Sequence, residues 1–232
     1  MLNITSDAKE IFLKTEGDAW FKRCGSRPYE NYQSIGARFL DSFLCKLAPP
    51  PGWKILEIGC SSGYNLAYLC QKHNFKGFGI EPSAQAVQMG NEWAAAHPDV
   101  DLHLMRGTSD ELPFEDEMFH VVMFGFCLYC TDRRYLHRAI SEADRVLKHG
   151  GFLLIDDFLT PGALKRPNQH NPNLYTYKYD YAKLFLSDPC YSLIERTTYS
   201  HSGLTFEPEI QERVSASILY KENIDDVYQF CE

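Results

Sequence analysis

Short apolar runs alternate with amphipathic helical repeats through the middle of the chain, from about residue 54 to residue 155. A continuous apolar run of about four to eight residues is typical of a strand that is buried on both faces of a parallel sheet. Such runs predict five strands, at 55–58, 76–80, 102–105, 120–126 and 152–155. The alternation of strands and helices predicts an α/β fold with a mostly parallel sheet.

The helices are predicted where apolar residues recur every three or four positions. They span 29–47, 64–72, 83–96 and 136–147. The run Pro49-Pro50-Pro51-Gly52 is expected to end the first helix and to deliver the chain into the first strand. Gly150-Gly151 is expected to end the fourth helix.

Beyond residue 160 the pattern changes. The stretch 160–181 is rich in proline, asparagine and tyrosine and predicts an inserted loop, and the runs 191–199 and 213–220 predict two final strands. Four tyrosines alternate within the loop, which places them on one face if the chain is extended there. They are Tyr175, Tyr177, Tyr179 and Tyr181. This stripe serves either packing or the wall of a binding site.

The N-terminal stretch 10–32 lies outside the repeating pattern and carries aromatic residues among polar ones. These are Trp20, Phe21, Tyr29 and Tyr32. One interpretation is an arm that packs its aromatic side chains on the domain surface. The alternative is a lid that closes over a bound ligand and excludes water, with Gly17 and Gly25 flanking the aromatic pair as hinges.

The composition of the 232-residue chain is that of an ordinary globular domain, with 44% hydrophobic and 23% charged residues. A formal net charge of −8 argues against an extended nucleic-acid surface, which needs clusters of lysine and arginine. We interpret the basic pairs Arg133-Arg134 and Lys165-Arg166 as solvated loop charges. No nucleic-acid partner is therefore expected.

The sequence also predicts a cytoplasmic protein with no membrane partner. No apolar run approaches the roughly 20 residues of a membrane span. The N-terminus lacks the basic start and apolar core of a signal peptide. Because no secretion signal is present, we interpret the eight scattered cysteines as buried, reduced thiols rather than as a disulfide framework.

The stretch 54–65, KILEIGCSSGYN, is the center of the predicted chemistry. A strand that breaks through small residues into a helix start gathers free backbone N–H groups, which lets a ligand lie against the backbone. Gly59 and Gly63 fall four residues apart, and Ser61 occupies the place of the middle glycine of the dinucleotide fingerprint. A nicotinamide site is therefore disfavored.

Glu81 ends the second predicted strand roughly twenty residues after the glycine turn, ahead of Pro82. A carboxylate at this point of a βαβ unit accepts both hydrogen bonds of a ribose diol. The alternative is a carboxylate that caps the next helix, a role that Ser83 already fills. Gly107, Thr108 and Ser109 follow the third strand and suit a loop that lies along a flat ring.

These motifs resemble the methyltransferase type 11 group of class I S-adenosylmethionine (SAM)-dependent methyltransferases. The resemblance rests on LEIGCSSG, GIEPS, GTSDELPFEDEMFHVVMF and RVLKHGGFLLI, in that order, and covers about residues 50 to 160. It implies a Rossmann-like seven-stranded sheet in the order 3-2-1-4-5-7-6, with the last strand antiparallel and helices on both faces. We further expect an N-terminal lid and helix over 1–48 and a methyltransferase domain over 49–232, within a single compact domain.

The resemblance also implies roles for individual residues toward SAM. The methionine end of SAM is expected to contact the glycine turn, at Glu57, Gly59, Cys60, Ser61 and Gly63, and the ribose is expected to contact Glu81 and Pro82 at the end of the second strand. The adenine is expected to contact Thr108 and Ser109 in the loop after the third strand, and the sulfonium is expected to lie beside Phe124, Gly125 and Phe126 at the end of the fourth strand. The lid interpretation adds Trp20. Ser61 replaces a commoner glycine, which is tolerable if its φ is negative, and Thr108 stands where an aspartate often holds the adenine amine.

A methyl transfer of this kind needs a base only when the acceptor must lose a proton. His170 and His201, in the segments expected to face the acceptor, are the candidate bases, together with Asp156 or Asp157 at the end of the fifth strand. The two aspartates are neighbors on a strand and point to opposite faces, so no metal is expected. For the tyrosine stripe, the binding alternative becomes an aromatic wall around the acceptor.

The sequence therefore predicts a SAM-dependent methyltransferase that acts by O- or N-methylation on a small-molecule acceptor. Two alternatives from other classes remain open. One is a SAM-binding regulatory or scaffolding protein without turnover, which would keep every cofactor motif. The other is a nicotinamide-dependent oxidoreductase, against which the glycine spacing and the lack of an obvious second domain both argue.

Overall fold

The structure is a computed structural model that describes residues 7–25 and 33–228. Seven strands form one sheet in the order β3-β2-β1-β4-β5-β9-β8, and two short strands form a separate hairpin. The strands are β1 (Lys54–Ile58), β2 (Lys76–Glu81), β3 (Leu102–Arg106), β4 (Phe119–Gly125), β5 (Leu147–Phe158), β6 (Leu164–Pro167), β7 (Tyr175–Lys178), β8 (Tyr191–Ser200) and β9 (Arg213–Lys221).

The first five strands pair in parallel, and β9 lies antiparallel between β5 and β8. Without the small hairpin β6–β7, this is the predicted order 3-2-1-4-5-7-6 with an antiparallel last strand. The predicted sheet is therefore confirmed. Its carboxyl edge gathers the ends of β1, β2 and β4, which is where open α/β sheets bind their ligands.

Helices cover both faces of the sheet. They are α1 (Ala8–Ile11), α2 (Gly17–Trp20), α3 (Ile35–Leu47), α4 (Tyr64–His73), α5 (Ala84–Ala96), α6 (Leu136–Val146), α7 (Ala182–Leu186) and α8 (Ile224–Val227). Apolar side chains of α3, α4 and α5 pack on one face of the sheet, and those of α6 and α7 pack on the other. Both layers bury the stripe that the helical spacing predicted.

Helix α3 begins later than the predicted 29–47. Ser34 is extended, at φ −63° and ψ 159°, and its side-chain oxygen accepts a hydrogen bond from the Ala37 amide, so the helix starts at Ile35. A serine that caps in this way ends the extended chain before it. The part of the prediction over 29–32, with Tyr29 and Tyr32, lies outside the described residues.

Helix α6 ends before the glycine pair that was expected to stop it. Val146 is its last residue, and Leu147 already has extended backbone angles, φ −81° and ψ 128°. Strand β5 therefore starts at Leu147, five residues before the prediction, and Gly150 takes a positive φ of 76° within it. The amphipathic spacing continues from the helix into the strand, which concealed the boundary.

The predicted loop 160–181 contains the hairpin β6–β7. Tyr175 and Tyr177 share a face of β7, but the strand ends at Lys178 and Tyr181 turns into the core, where it is 1% exposed. The extended backbone that the single-face prediction requires is therefore present at Tyr175 and Tyr177 and absent at Tyr181. Packing explains Tyr181 because its hydroxyl donates to the Tyr177 carbonyl and accepts from Arg133.

Arg133 is not the solvated loop charge that its sequence context indicated. Its guanidinium donates to the Leu128 carbonyl at 2.6 Å and lies 4.5 Å from the centroid of the Tyr177 ring. It therefore joins the start of α6 to the hairpin. Lys165 and Arg166 lie in β6 rather than in a loop.

Residues 8–25 form one helical run, called here the N-terminal segment, in which α1 and α2 alternate with π-helical turns at Phe12–Glu16 and Phe21–Gly25. Asp18 anchors the segment because its carboxylate accepts from the Ser83 hydroxyl at 2.6 Å. Gly17 is buried, and a Cβ there would lie 3.0 Å from the Ser83 amide and 3.2 Å from the Pro82 carbonyl carbon. Close packing over the end of β2 thus explains this glycine, whose backbone is helical.

The cysteines fit the predicted thiols only in part. Cys60, Cys70 and Cys190 are buried, whereas Cys24 and Cys45 are exposed, which corrects the expectation of uniform burial. Among the described residues, no helix combines the length and the apolar character needed to span a membrane.

Gly90 brings α5 into contact with the turn after β1, and we predict that it cannot carry a side chain without loss of stability. A Cβ at Gly90 would lie 2.5 Å from the Ser62 carbonyl oxygen and 2.1 Å from a Leu104 methyl. Gly90→Ala should therefore lower the free energy of unfolding by about 1–3 kcal/mol, despite the higher helix propensity of alanine. Urea denaturation measures this difference.

Gly162→Ala is the matched control, since a Cβ at Gly162 has no neighboring atom within 4 Å. It should change the free energy of unfolding by less than about 0.5 kcal/mol. Equal effects of the two substitutions would contradict the close packing of α5 on the turn.

Candidate active site

Two cavities lie side by side at the carboxyl edge of the sheet. The smaller, about 130 Å³, lies between the end of β2 and the N-terminal segment, and the larger, about 800 Å³, extends from the end of β1 toward the hairpin β6–β7. Both are bordered by Phe12, Trp20, Gly59, Gly125 and Phe126. Because they share these walls, the two cavities are parts of one site.

The turn between β1 and α4 forms the floor where the cavities meet. Three of its residues have positive φ: Gly59 at 78°, Ser61 at 51° and Gly63 at 81°. The sequence-based condition that Ser61 has a negative φ is wrong, and the residue lies in the left-handed region that favors glycine. The hydroxyl of Ser61 is buried and has no hydrogen-bond partner within the described part of the chain.

The glycines of the turn are required by the protein itself. A Cβ at Gly59 would lie 2.6 Å from the Cβ of Cys127, and one at Gly63 would lie 3.0 Å from a Leu104 methyl. Cys60 is 2% exposed, and its sulfur packs toward Gly79. Of these residues, Gly59 borders both cavities, whereas Cys60 and Gly63 shape the turn from behind.

Glu57, in β1, is almost fully buried at 1% exposure and borders the larger cavity. Its Oε1 accepts a hydrogen bond from the Asn65 amide at 2.9 Å, while Oε2 has no partner among the described residues. Burial raises the pKa of Glu57 to about 8, which the Asn65 hydrogen bond opposes. A buried carboxyl with one open oxygen suits a cationic ligand group.

Glu81 ends β2 and lines the smaller cavity beside Pro82, Thr108 and Ser109. Its two oxygens already accept from backbone amides, Oε2 from Ser61 and Oε1 from Ser83, each at 3.0 Å. Burial is the main cause that raises its pKa to about 7. Each carboxylate oxygen keeps a second lone pair for a ligand hydroxyl.

Asp110 lies beside Thr108 and Ser109 in the smaller cavity, 3% exposed. The Lys9 ammonium of the N-terminal segment lies 2.8 Å from its carboxylate. The segment and the loop after β3 are thereby joined across the cavity mouth.

The end of β4 contributes a backbone wall and one aromatic ring. Phe124 is 0% exposed and packs in the core against Phe185, so its side chain reaches neither cavity. Gly125 borders both cavities, and a Cβ there would lie 2.6 Å from a Glu57 oxygen. Phe126 has a positive φ of 56° and directs its ring along the site.

Both candidate histidines border the larger cavity. The His201 ring stacks on Phe126, with centroids 5.5 Å apart and planes 29° apart, and its Nδ1 lies 3.9 Å from a Glu212 oxygen. His170 is exposed on the loop between β6 and β7, where its backbone amide donates to the Asn168 side chain. The structure brings His201, and not His170, against the Phe126 ring.

Asp156 and Asp157 point in different directions, as their neighboring positions on β5 predicted. Asp156 borders the larger cavity and accepts a hydrogen bond from the Tyr199 hydroxyl, whereas Asp157 accepts from the Tyr129 amide at 3.1 Å. Burial raises the pKa of Asp156 to about 7 and that of Asp157 to about 8. Tyr199 and Asn65 are site residues that motif reading missed, because each acts through a neighboring acid.

A potential metal-ligand group lies elsewhere, where the ligand atoms of Asp41, Cys45 and His73 fall within 4.8 Å of one another. The second Asp41 oxygen accepts from the Lys72 ammonium at 2.6 Å and from the Tyr68 hydroxyl at 2.7 Å. The group borders neither cavity.

The part of the chain that forms the site also resembles known proteins in sequence. Residues 55–151 match the family model of a methyltransferase domain. Over 107 residues the chain is 31% identical to phthiotriol/phenolphthiotriol dimycocerosates methyltransferase 1 of Mycobacterium ulcerans. The matched region covers 46% of this chain and 38% of that protein. Over 113 residues it is 29% identical to sarcosine/dimethylglycine N-methyltransferase of Aphanothece halophytica, covering 47% and 39%. The chain thus spans less than half the length of these relatives.

A solved structure supports the fold over nearly the whole chain. The 1,6-didemethyltoxoflavin-N1-methyltransferase of Burkholderia thailandensis, with its ligand and S-adenosylhomocysteine bound, superposes with a TM-score of 0.68 at 12% identity and covers 94% of this chain and 91% of that one. Residues 55–151 therefore carry a methyltransferase domain, and the observed sheet order and the structural match show the fold of SAM-dependent methyltransferases.

Proposed function

We propose that the two joined cavities bind SAM and a small-molecule acceptor, and that the chain catalyzes methyl transfer between them. The observation that carries the proposal is the turn after β1, where Glu57 Oε2 and Ser61 Oγ are buried and lack partners among the described residues. Open polar atoms of this kind are costly unless a ligand pairs with them. An amino acid moiety such as the methionine end of SAM supplies the missing donors.

The other assigned residues extend this site to the smaller cavity. Glu81 accepts the hydroxyls of the ribose, and Thr108 and Ser109 line the wall that receives the adenine, with Asp110 beside them. Gly125 and Phe126 border both cavities, so the reactive end of the cofactor belongs where the two cavities meet. Bound SAM supplies an activated methyl group on a sulfonium cation.

The protein contributes mainly positioning and exclusion of water. The larger cavity holds the acceptor against Phe126 and Phe158, whose rings lie 5.1 Å apart. His201 stacks on both rings and is the better placed candidate to take a proton from a hydroxyl or ammonium acceptor. The relatives named for sarcosine and for didemethyltoxoflavin act on small molecules, which supports an acceptor of this class.

The experiment that tests the proposal has two readouts. Calorimetry with SAM and with NAD⁺ distinguishes the methyltransferase site from the nicotinamide alternative, and binding of NAD⁺ alone would refute the proposal. Release of S-adenosylhomocysteine in a screen of small-molecule acceptors distinguishes an enzyme from a SAM-binding protein without turnover.

We predict that Glu81→Ala weakens SAM binding at least tenfold. The substitution removes two charge-assisted hydrogen bonds to the ribose, each worth about 1.5–3 kcal/mol. Calorimetry gives the dissociation constant, and the melting temperature shows whether loss of the Ser61 and Ser83 contacts disturbs the fold. Glu92→Ala is the control, since Glu92 is exposed on α5 and accepts from Gln88. An unchanged dissociation constant for Glu81→Ala would rule out the ribose role.

Cofactor binding is predicted to release protons at pH values near and below the Glu57 pKa of about 8. In the empty folded protein Glu57 keeps its proton up to a pKa of about 8, whereas the unfolded chain loses it near 4.5, so this group lowers stability as pH rises through that window. A cationic amine favors the ionized carboxylate, so binding strengthens with pH. Calorimetry at pH 7 in two buffers of different ionization enthalpy measures the released protons, and Glu57→Gln should reduce their number. Proton uptake would contradict the assignment.

The N-terminal segment is predicted to act as a lid. Amides over 14–25 should exchange quickly in the empty protein and gain protection with S-adenosylhomocysteine, because Trp20 borders both cavities. Trp20→Ala should raise the apparent constant for SAM without lowering the melting temperature of the empty protein. Lys14→Ala is the control, since Lys14 is exposed and pairs with Glu10. Equally slow exchange with and without ligand would identify a fixed structural element.

A further inference from the structure

The hairpin β6–β7 presents one of its faces to the larger cavity. Leu164 pairs with Lys178 and Arg166 pairs with Thr176, so these four residues share a face. Arg166, Thr176 and Lys178 all border the cavity. Lys165 lies on the opposite face, where its ammonium covers the Tyr175 ring at 3.9 Å. The hairpin thus places two of its cations in the site and one outside it.

The Lys178 ammonium is buried without a carboxylate partner among the described residues. It donates to the Gln211 carbonyl and lies 3.8 Å from the centroid of the Phe158 ring. Lys221 is buried to the same extent, 5% exposed, but pairs with Asp144 at 2.9 Å. Burying a cation without a counter-charge costs free energy, and binding of an anion beside it offsets this cost. Burial accordingly lowers the pKa of Lys178.

Arg166 adds a second cation at the same place. Its guanidinium donates to the Gln211 side-chain oxygen at 2.7 Å, which is a neutral acceptor, and Gln211 therefore holds both cations. Arg38, exposed on α3, also borders the cavity. This side of the site is positive in a chain whose formal net charge is −8.

The acids that border the larger cavity do not cancel these charges. Glu16 pairs with Arg23, and the Glu212 carboxylate, beside His201, is one negative charge against the cations Lys178, Arg166 and Arg38. The pKa values of Glu57 and Asp156, raised by burial to about 8 and about 7, leave both carboxyls largely or partly protonated near neutral pH. The unbalanced charge of the cavity is therefore positive.

We propose that the methyl acceptor carries an acidic group, a carboxylate or a phosphate, which Lys178 and Arg166 bind at the hairpin end of the larger cavity. The inference rests on the proposed function and names its substrate class. The Lys178 ammonium lies over the Phe158 ring, and this ring packs against Phe126, next to Gly125. The acidic group therefore binds about one aromatic ring away from the point of methyl transfer. Neutral analogs leave the Lys178 ammonium unpaired and are selected against.

The test titrates the protein with sodium benzoate, inorganic phosphate and benzamide by calorimetry, with and without saturating S-adenosylhomocysteine. At least one of the two anions should bind with a dissociation constant of about 1 mM or lower, and benzamide at least tenfold more weakly. Which anion binds distinguishes a carboxylate from a phosphate acceptor. Lys178→Met and Arg166→Gln should each weaken anion binding at least tenfold.

Lys165→Met is the matched control, because it removes a lysine from the other face of the same hairpin, and it should change anion binding less than twofold. Melting temperatures check folding, and Arg166→Gln decides if Lys178→Met does not fold. Absence of anion binding, equal binding of benzamide, or an equal loss in Lys165→Met overturns the inference. The titration without cofactor judges the anion site alone, whereas failure to bind S-adenosylhomocysteine refutes the proposed function.

Acceptor screening supplies a second arm, with each acid paired with its amide and each phosphate ester paired with its alcohol. Release of S-adenosylhomocysteine should occur with the acidic members and fall at least tenfold with the neutral ones in the wild-type protein. Equal turnover of the neutral members would overturn the inference while leaving methyl transfer itself established.

Discussion

The burial of carboxyl groups at the carboxyl edge of the sheet is the constraint on which the site depends. Four acidic side chains there are each at most 6% exposed, and burial is the main cause that raises the pKa of each. They are Glu57, Glu81, Asp156 and Asp157. Each is held by particular donors, an amide side chain, a hydroxyl or backbone N–H groups, which fix its orientation. These donors offset part of the cost of burying each carboxyl group.

The sheet was predictable because its information is local. Apolar runs, glycine positions and the spacing of Glu81 after the turn are written in consecutive residues, and the family resemblance then supplied the strand order. The positive φ of Ser61 was not predictable from its sequence neighbors, and the amide of this residue donates to Glu81, twenty residues away. Nor was the end of α6, where apolar spacing runs unbroken from the helix into β5.

Side-chain direction set the second limit of sequence reading. The motif around Phe124, Gly125 and Phe126 predicted three residues at the sulfonium end, but Phe124 points into the core. Gly125 ends β4 at the cavities, and Phe126 follows the strand with a positive φ of 56° that brings its ring to them. Lys178 carried no signal in the sequence, because a lysine in a tyrosine-rich loop is usually solvated. Its inward direction follows from its burial and its place in the cavity lining, on the face of the hairpin that it shares with Arg166.

The N-terminal segment has a consequence for the order of events in a catalytic cycle. Phe12 and Trp20 border both cavities, and Asp18 ties the segment to the end of β2. A single displacement of the segment would therefore widen both cavities together. Substrate entry and product departure would then share one gate, so an acceptor could not exchange freely while the cofactor stayed enclosed, and turnover would follow a compulsory sequence of binding and release.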